Sequence, residues 1–361
     1  MKTLLFTLEY PPFHGGVANY YGNLVKYWPK PYDILVLNNN EGRLINNKLP
    51  LLKWLPAYFA LRQKIKQKKI EQILVGQILP LGTVALVFSK FYKTKYSIIL
   101  HGLDLAYVLK RPRKKWLTEK ILRQADKIVC VNSYTAEIAR QTFPDIRQKL
   151  TIVNPGVENR LTYNPQLITQ LKEKYNLENK LILLSVGRLV KRKGFDLVIK
   201  SMPKVLAKAL NLIYVILGDG EEIDNLKFQI TNFKLEKNII IISGATDDER
   251  NLWYDLCDIF IMASRNINGD FEGFGLVYLE ANLAGKSVIA GRSGGVGDAV
   301  IDGLNGLLVD EENINDIAQA VIKLAQNLAL RQKLGEQGRT RALKEFNWET
   351  QIDKIYKAIT I

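Results

Sequence analysis

Two glutamates, Glu272 and Glu280, lie eight positions apart in the segment Glu272-Gly-Phe-Gly-Leu-Val-Tyr-Leu-Glu280. The glycines predict a turn, and the residues after them predict the start of a helix. A carboxylate on the turn can accept hydrogen bonds from sugar hydroxyls, and one near the helix start can accept from a ribose diol. The amides of Gly273, Phe274 and Gly275 are then free to face a phosphate. The segment favours a sugar-nucleotide site; the alternative is one loop glutamate and one solvated helix glutamate.

A pair of adjacent glycines, Gly15 and Gly16, follows the apolar run 3–8 and precedes apolar residues at helical spacing. Glycines at the start of a helix let backbone amides approach a phosphate at the positive end of that helix. An ordinary tight turn uses the same pair of residues. The pattern therefore predicts either a phosphate-binding helix start or a structural turn.

A second loop carries two cations: Gly187 is followed directly by Arg188, and Lys193 comes five positions after that arginine. An arginine offers a planar fork of donors and a lysine a point charge, so the pair suits a diphosphate. Lys191 and Arg192 lie in the same loop, and solvated surface charge is the alternative interpretation.

The chain has two histidines, and both lie in candidate binding loops. His101 follows the apolar run 96–100, at a strand end where ligand-contacting side chains are found in parallel sheets. Asp104 comes three residues later and could orient the imidazole. His14 stands beside the glycine pair. A structural loop residue is the alternative interpretation of His101.

Short apolar runs alternate with helical patterns nearly throughout, which predicts an α/β fold with parallel sheets covered on both faces. Each half contains six candidate strands: residues 3–8, 33–37, 72–75, 96–100, 127–131 and 151–153, then 181–186, 211–217, 239–243, 259–263, 287–291 and 306–309. Because the pattern starts again after residue 165, we expect two doubly wound domains, 1–165 and 166–345, and a final amphipathic helix within 346–361. Ligands in such folds bind where the carboxyl ends of the strands meet, here the cleft between the halves.

The composition fits a reduced intracellular compartment. The chain has 361 residues, 47% of them hydrophobic, which is enough for two cores. Its two cysteines, Cys130 and Cys257, lie in apolar runs, which predicts buried thiols rather than a disulfide or a metal site. The apolar run at residues 4–8 is too short for a signal-peptide core, and none is long enough to cross a bilayer. We therefore expect a cytoplasmic protein.

The positive charge is concentrated in the first half of the chain. Residues 1–165 carry 26 Lys and Arg against 10 Asp and Glu, whereas residues 166–361 carry 25 against 26. Two basic segments stand out, one from Arg62 to Lys69 and one from Lys110 to Trp116. A tryptophan that follows five cations fits the headgroup region of an anionic membrane, where we expect a peripheral contact. Solvated helix faces are the alternative.

Taken together, these segments resemble the retaining glycosyltransferases of family 4 (glycosyl transferases group 1), which include the mannosyltransferases of phosphatidylinositol mannoside synthesis. Glu272 to Glu280 resembles the E-x7-E signature, and Gly187 to Gly194 resembles the G-R-x4-K-G order. The resemblance covers nearly the whole chain. It implies the GT-B fold, in which two Rossmann-like domains face a central cleft. The first domain binds the acceptor, the second binds the nucleotide sugar, and the last helix crosses back to the first.

The resemblance also implies roles for single residues. Arg188 and Lys193 would stabilise the leaving diphosphate, so neither a metal nor another cofactor would be needed beside the nucleotide-sugar co-substrate. Glu272 would bind sugar hydroxyls, Glu280 the ribose, and His101 the sugar near its 6-hydroxyl. Further donor contacts are implied for a set of turn and helix-start residues: Gly15, Gly16, Gly187, Gly218, Gly244, Gly273, Phe274, Gly275 and Leu276. Acceptor-side contacts are implied for His14, Asp104 and Ser133.

One loop departs from the family pattern. The segment from Ser293 to Asp298 resembles a G-G-x-x-E loop, but Gly297 stands in place of a frequent proline and Asp298 in place of the usual glutamate. Whether this change alters donor binding is left open by the sequence.

The implied reaction is transfer of a hexose from a nucleoside-diphosphate sugar to an acceptor hydroxyl with retention of configuration, in glycolipid or cell-surface polysaccharide synthesis. A lipid-linked or otherwise anionic acceptor fits the basic first half. The segment after Glu272 favours GDP-mannose by resemblance, with UDP-glucose and UDP-N-acetylglucosamine left open.

Three other function classes are alternatives to a glycosyltransferase. An NAD(P)-dependent oxidoreductase would need the complete G-x-G-x-x-G fingerprint, which is absent after the first strand of either half. Nucleic-acid binding is disfavoured because no recognised motif accompanies the basic charge. An epimerase or a phosphorylase of the same fold stays open.

Overall fold

The computed structural model describes residues 1–13, 15–48, 52–92, 94–158 and 164–360. The chain forms two compact units. The first unit contains Met1–Gly156 and Trp348–Ile361, and the second contains Val157–Asn347. The structure divides the chain after Gly156, whereas the predicted boundary is at residue 165. Residues 159–163, between these two positions, lie outside the described part of the chain.

The first unit is built on a parallel sheet of six strands, in the order β2-β1-β3-β4-β5-β6. The strands are β1 (Thr3–Phe6), β2 (Ile34–Leu37), β3 (Gln72–Val75), β4 (Lys95–Leu100), β5 (Ile128–Cys130) and β6 (Leu150–Ile152). The order reverses between β1 and β3, so the carboxyl ends of these strands lie at a topological switch point, where ligands bind in open α/β sheets.

The α-helices in the described part of the first unit are α1 (Gly16–Lys26), α2 (Leu55–Lys68), α3 (Leu81–Tyr92), α4 (Leu103–Leu109), α5 (Pro112–Gln124), α6 (Ser133–Thr142) and, from the end of the chain, α15 (Trp348–Thr360). Helix α15 packs beside α1, with Trp348, Ile352, Ile355 and Ile359 buried in one core with Tyr20 and Tyr21. The 13-residue α15 has its apolar residues at helical spacing, so one face enters the core.

The second unit contains another parallel sheet of six strands, in the order β12-β11-β10-β7-β8-β9. Its strands are β7 (Leu181–Val186), β8 (Leu212–Leu217), β9 (Ile239–Ile242), β10 (Ile259–Met262), β11 (Ser287–Gly291) and β12 (Gly306–Val309). Counted from β7, this is the 3-2-1-4-5-6 order of a dinucleotide-binding Rossmann sheet. The switch point lies between β7 and β10.

The helices of the second unit are α7 (Pro165–Tyr175), α8 (Phe195–Leu206), α9 (Ile223–Asn232), α10 (Asp247–Leu256), α11 (Leu276–Leu283), α12 (Val296–Ala299), α13 (Ile314–Gln326) and α14 (Leu328–Glu345). In several of these helices, the side chain of the residue before the first turn accepts a hydrogen bond from a free backbone amide of that turn. In α10 the Thr246 hydroxyl accepts from the Glu249 amide while the Glu249 carboxylate accepts from the Thr246 amide, a complete capping box.

The predicted α/β architecture is confirmed, since all twelve candidate runs form strands. Their ends shift by at most a few residues; the first run, for example, stops pairing at Phe6 rather than at residue 8. Cys130 and Cys257 are buried free thiols, as predicted. Among the described residues, no helix is both long and apolar enough to cross a bilayer.

Candidate active site

Glu272 is the centre of a buried ionic cluster in the second unit. Its Oε2 accepts hydrogen bonds from Lys193 Nζ at 2.7 Å, Arg192 Nη1 at 3.0 Å and Ser264 Oγ at 3.0 Å. Only 7% of Glu272 and 9% of Arg192 is exposed, so these bonds form away from bulk water. Arg192 Nε also lies 3.0 Å from Asp270 Oδ1. The cluster fixes one carboxylate oxygen and leaves Oε1 without a hydrogen bond from the described residues.

Arg192 is a member of this site that the sequence interpretation missed. We grouped it with Lys191 as surface charge, but Lys191 is exposed while Arg192 is buried. A single 3-10 turn, Lys191–Lys193, separates the directions of neighbouring side chains. The sequence alone does not distinguish these three adjacent cations. The conformation of the turn determines which side chains are buried.

Burial alone would raise the pKa of Glu272, but the charges of Lys193 and Arg192 outweigh it and lower that pKa to about 2. Because the pKa of Glu272 in the folded protein is below its ordinary value of 4.5, the ionised carboxylate stabilises the folded state fully above about pH 4.5. It is lost as the pH falls toward 2, and its full size is on the order of 3 kcal/mol. Glu272→Gln should therefore be less stable than the wild type at neutral pH, with a difference that shrinks below pH 4.5.

Chemical denaturation at a series of pH values measures this difference. The exposed Glu312→Gln controls for the substitution itself. A Glu272→Gln difference that stays constant from pH 7 to pH 2.5 would contradict the ionised, cation-held carboxylate.

Gly194 makes the approach of the cation loop to β10 possible. Its φ of +74° is in the left-handed region, and an added Cβ would lie 1.9 Å from the Ala263 carbonyl oxygen. Arg265 donates its backbone amide to the Arg192 carbonyl at 2.8 Å, and its guanidinium binds Asp196 through Nη2. These contacts hold the loop after β7 against the end of β10, which places Lys193 beside Glu272.

Glu280 lies on helix α11 and is held by a buried tyrosine. Tyr254, 1% exposed, donates its hydroxyl to Glu280 Oε2 at 2.7 Å. Helix α11 begins at Leu276, directly after Gly275, whose φ of +86° ends the turn that starts at Glu272. Phe274 is buried. The structure thus places Glu272 on the turn and Glu280 on the following helix, as the sequence predicted.

The other predicted donor residues of this unit lie at the ends of neighbouring strands. Gly187 and Arg188 follow β7, Gly218 follows β8, and Gly244 comes shortly after β9. The β7 and β8 loops touch, because a Cβ on Gly218 would lie 2.0 Å from the Gly187 carbonyl oxygen. Asp219 Oδ2 accepts from the Gly244 amide at 2.9 Å. Arg188 is exposed and has no ion pair among the described residues.

The segment from Ser293 to Asp298, which follows β11 and differs from the family pattern, also contacts the Glu272 turn. The Gly295 amide donates to the Glu272 carbonyl at 2.9 Å, and a Cβ on Gly294 would lie 2.3 Å from that carbonyl oxygen. Asp298 and Gly297 lie on α12, and nothing lies within 4 Å of a Cβ built on Gly297. The glycines of this segment support the backbone of the turn, while a side chain at position 297 would meet open space.

In the first unit, His101 follows β4 and its ring is held by a buried tyrosine. Its Nε2 lies 2.8 Å from the Tyr21 hydroxyl, and the rings of Tyr20 and Tyr21 pack edge-on against it. Burial lowers the pKa of His101 to about 4, so the imidazole is neutral at physiological pH. Tyr20 and Tyr21 come from helix α1, where they belong to the residues at helical spacing that follow the glycine pair.

Asp104 secures the loop rather than the imidazole. Its Oδ1 accepts from the backbone amides of His101, Gly102 and Leu105 at 2.9–3.1 Å. Burial raises the pKa of Asp104 to about 6, and these amide bonds oppose that shift. Its Oδ2 is buried without a hydrogen-bond partner among the described residues. The orientation of the His101 ring comes from Tyr21.

The remaining predicted residues of the first unit stand at helix starts. Gly15 and Gly16 begin α1, and both are exposed. Ser133 is exposed at the start of α6, where the Asn132 side chain caps the helix by accepting from Thr135 N. His14 lies outside the described residues.

The two basic segments of the first unit lie on helices. Residues 62–69 lie at the end of α2, and residues 110–116 span the start of α5. Trp116 is 61% exposed and Tyr107 on α4 is 52% exposed. The Lys114 ammonium lies 4.3 Å from the centre of the Tyr107 ring, and Lys120 lies 5.8 Å from that of Trp116. The region of α4 and α5 therefore carries two exposed pairs of an aromatic ring and a cation, Tyr107 with Lys114 and Trp116 with Lys120.

The part of the chain that the structure describes contains no cluster of three or more His, Cys, Asp or Glu side chains arranged to hold a metal ion.

Two family models match consecutive parts of the chain. The family model "Glycosyltransferase Family 4" matches residues 14–160, and "Glycosyl transferases group 1" matches residues 168–341. An uncharacterised glycosyltransferase of Methanocaldococcus jannaschii is 29% identical, over 100% of this chain and 99% of that protein. The GDP-mannose-dependent alpha-(1-6)-phosphatidylinositol monomannoside mannosyltransferase of Mycolicibacterium smegmatis is 26% identical, over 96% of this chain and 95% of that protein.

Among solved structures, Anabaena HepE in complex with UDP has a TM-score of 0.82 at 18% identity, with 100% of both chains covered. At this identity the likeness shows the fold, and the predicted GT-B class is confirmed. With two consecutive family models matching most of its length, the chain belongs to the glycosyl transferases group 1, glycosyltransferase family 4, and is a glycosyltransferase.

Proposed function

We propose that the protein is a retaining hexosyltransferase that uses a nucleoside-diphosphate sugar, and the arrangement around Glu272 is the observation that carries the proposal. Three donors fix Oε2, so the carboxylate is ionised and its direction is set before any ligand binds. Oε1 remains as a strong acceptor for sugar hydroxyls. An ionised acceptor held in a fixed direction binds a polyhydroxyl ligand with little reorganisation.

The cations of the same loop suit the diphosphate. Arg188 is exposed and without an ion pair among the described residues, and Lys193 forms its ion pair with Glu272. We propose that both bind the diphosphate and stabilise the charge that develops on it as the sugar departs, which would supply the electrostatic stabilisation without a metal. Glu280, held by Tyr254, is the proposed ribose ligand.

GDP-mannose is the donor that we propose first. The M. smegmatis relative is named as GDP-mannose-dependent and acts on a phosphatidylinositol monomannoside. HepE was solved with UDP, which keeps UDP-glucose and UDP-N-acetylglucosamine as the alternatives. Either donor type places a diphosphate next to a ribose, which the cation loop and Glu280 would bind.

Thermal stabilisation by GDP-mannose, UDP-glucose, UDP-N-acetylglucosamine, NAD and NADP tests the proposal. A ligand at one hundred times its dissociation constant stabilises by about 2.7 kcal/mol, which is easily resolved. One sugar nucleotide should stabilise the wild type and stabilise Glu280→Ala less, because the ribose loses its acceptor. The exposed Glu312→Ala should respond like the wild type.

Stabilisation by NAD alone would overturn the proposal. With the donor identified, the anomeric configuration of the product measures the stereochemistry, and we expect retention. Full activity in excess EDTA is expected as well, and its loss would contradict the metal-free mechanism.

We further propose that the first unit binds the surface of an anionic membrane, where it meets a lipid-linked acceptor. The exposed Trp116 and Tyr107 beside Arg111, Lys114 and Lys120 support this proposal. Indole and phenol rings favour the headgroup region, and each nearby cation contributes about 1 kcal/mol with anionic lipid.

In flotation with anionic vesicles at low salt, Trp116→Ala should therefore bind several-fold more weakly than the wild type. Tyr32→Ala is the matched control, because Tyr32 is 95% exposed in the same unit but lies beside Asp33. Equal loss in both variants, or a wild-type protein that stays in solution, would contradict the membrane proposal.

A further inference from the structure

The hydroxyl of Tyr21 makes two short contacts inside the first unit. It lies 2.6 Å from the Gly76 carbonyl oxygen and 2.8 Å from His101 Nε2. Tyr21 is completely buried on α1, and Gly76 directly follows β3. The three groups therefore form a chain that joins a helix, a strand end and the loop after β4.

The hydrogen in this chain can be placed from the chemistry of the end group. A carbonyl oxygen only accepts, so at 2.6 Å the Tyr21 hydroxyl must donate to Gly76. A hydroxyl has one hydrogen, and Tyr21 can then only accept from the imidazole. Burial raises the pKa of Tyr21 well above its ordinary value, which keeps that hydrogen on the phenol.

We propose that Tyr21 is a positioning residue that holds neutral His101 as the tautomer with its hydrogen on Nε2. The other ring nitrogen, Nδ1, then carries a lone pair and acts only as a hydrogen-bond acceptor. No described residue donates to Nδ1. Asp104 Oδ1 fixes the backbone of the same residue, so ring and backbone are held by separate groups.

The Nε2 tautomer sets the direction of the hydrogen bond that His101 can form with substrate, and that part rests on the proposed function. A sugar hydroxyl would donate to Nδ1, rather than accept from the ring. His101 would not act as a general acid, because it has no ring hydrogen directed at a ligand. Its contribution would be to orient a hydroxyl, so its loss should change donor binding and the geometry of transfer together.

The tautomer can be measured in the ligand-free protein, without reference to activity. In protein labelled with 15N-histidine, long-range 1H–15N correlation spectra separate protonated from unprotonated ring nitrogens. The chain has two histidines, and the spectrum of His14→Gln assigns the His101 signals. At pH 7 we expect Nε2 in the protonated range and Nδ1 in the unprotonated range. A hydrogen on Nδ1, or averaging between the two forms, would overturn the proposal.

Two tyrosines on the same helix supply matched variants. Tyr21→Phe removes the acceptor of the imidazole hydrogen, so the single-tautomer pattern should be lost and kcat/KM should fall about tenfold or more. Tyr20→Phe makes the same chemical change in a ring that also packs against His101, but the Tyr20 hydroxyl has no hydrogen-bond partner among the described residues. We expect its spectrum and its kcat/KM to match the wild type.

The outcomes separate this inference from the proposed function. Retention of the Nε2 tautomer in folded Tyr21→Phe, or an equal effect of Tyr20→Phe, would overturn the role of Tyr21. If Tyr21→Phe does not fold, the wild-type spectrum alone decides the tautomer. Failure of every sugar nucleotide to bind would overturn the proposed function and leave the tautomer result unaffected.

Discussion

Lys193→Ala is expected to lower kcat for sugar transfer by about two to three orders of magnitude, the effect of removing one fixed electrostatic contact from a developing anion. Lys193 and Arg192 are the cations of the loop after β7 that lie beside Glu272, and Lys193 Nζ is 2.7 Å from Oε2. Its loss would remove positive charge from the proposed diphosphate position and weaken the hold on Glu272. Initial rates over a range of donor concentrations separate the change in kcat from the change in KM.

The neighbouring Lys191 provides the control, because it carries the same charge in the same 3-10 turn but is exposed. Lys191→Ala should retain kcat within about twofold, since isolated surface charges contribute little. If the two variants lose activity equally, the loop acts through its total charge and the assignment of Lys193 is wrong. Thermal unfolding of both variants excludes loss of the fold as the cause.

Gly194→Ala is expected to destabilise the protein by more than about 3 kcal/mol, the largest stability effect among these substitutions. Part of this comes from the left-handed φ of +74°, which costs an alanine about 1 kcal/mol or more. The rest comes from the new methyl group, which would lie 1.9 Å from the Ala263 carbonyl oxygen and force the loop away from β10. The midpoint of urea unfolding measures the loss.

Gly303 separates these two contributions within the same unit. Its φ is +72°, but nothing lies within 4 Å of a Cβ built there. Gly303→Ala should therefore show the backbone cost alone, about 1 kcal/mol. Equal losses in the two variants would mean that the loop after β7 yields without cost, and the close packing of Gly194 would then have no structural importance.

The sequence was sufficient for the fold because the information for parallel strands is local. Runs such as Leu181–Val186 and Ser287–Gly291 are continuous, apolar and bounded by polar or glycine residues, and both strands begin and end where predicted. The turn-then-helix arrangement of Glu272 and Glu280 was predictable for the same reason, since Gly275 marks the boundary. Ends such as that of β1 were less certain, because pairing with a neighbouring strand decides where the strand stops.

The partners of the site residues were not predictable. Most of these partners lie far along the chain from the residues that they bind. The separation is 80 positions for Arg192 and for Tyr21, and 26 for Tyr254. Ser264 is only eight positions from Glu272, but no local pattern connects those two residues either. Tyr21 belongs to the residues at helical spacing after the glycine pair, but the identity of its polar partner depends on which strand ends meet. The sequence thus predicted which loops matter, and only the tertiary structure shows which side chains hold the predicted ones in place.

The chain leaves the first unit after Gly156 and returns to it at Trp348. The two crossings run side by side, because the Val157 amide donates to the Phe346 carbonyl at 2.7 Å and a Cβ on Gly156 would lie 2.7 Å from Trp348 Cα. The second unit is therefore one continuous stretch of sequence, inserted between the two parts of the first unit, and its two ends lie next to each other. A fragment of residues 157–347 would contain the second unit without interruption, whereas a fragment of the first unit would need a linker from Gly156 to Trp348 to keep its last helix.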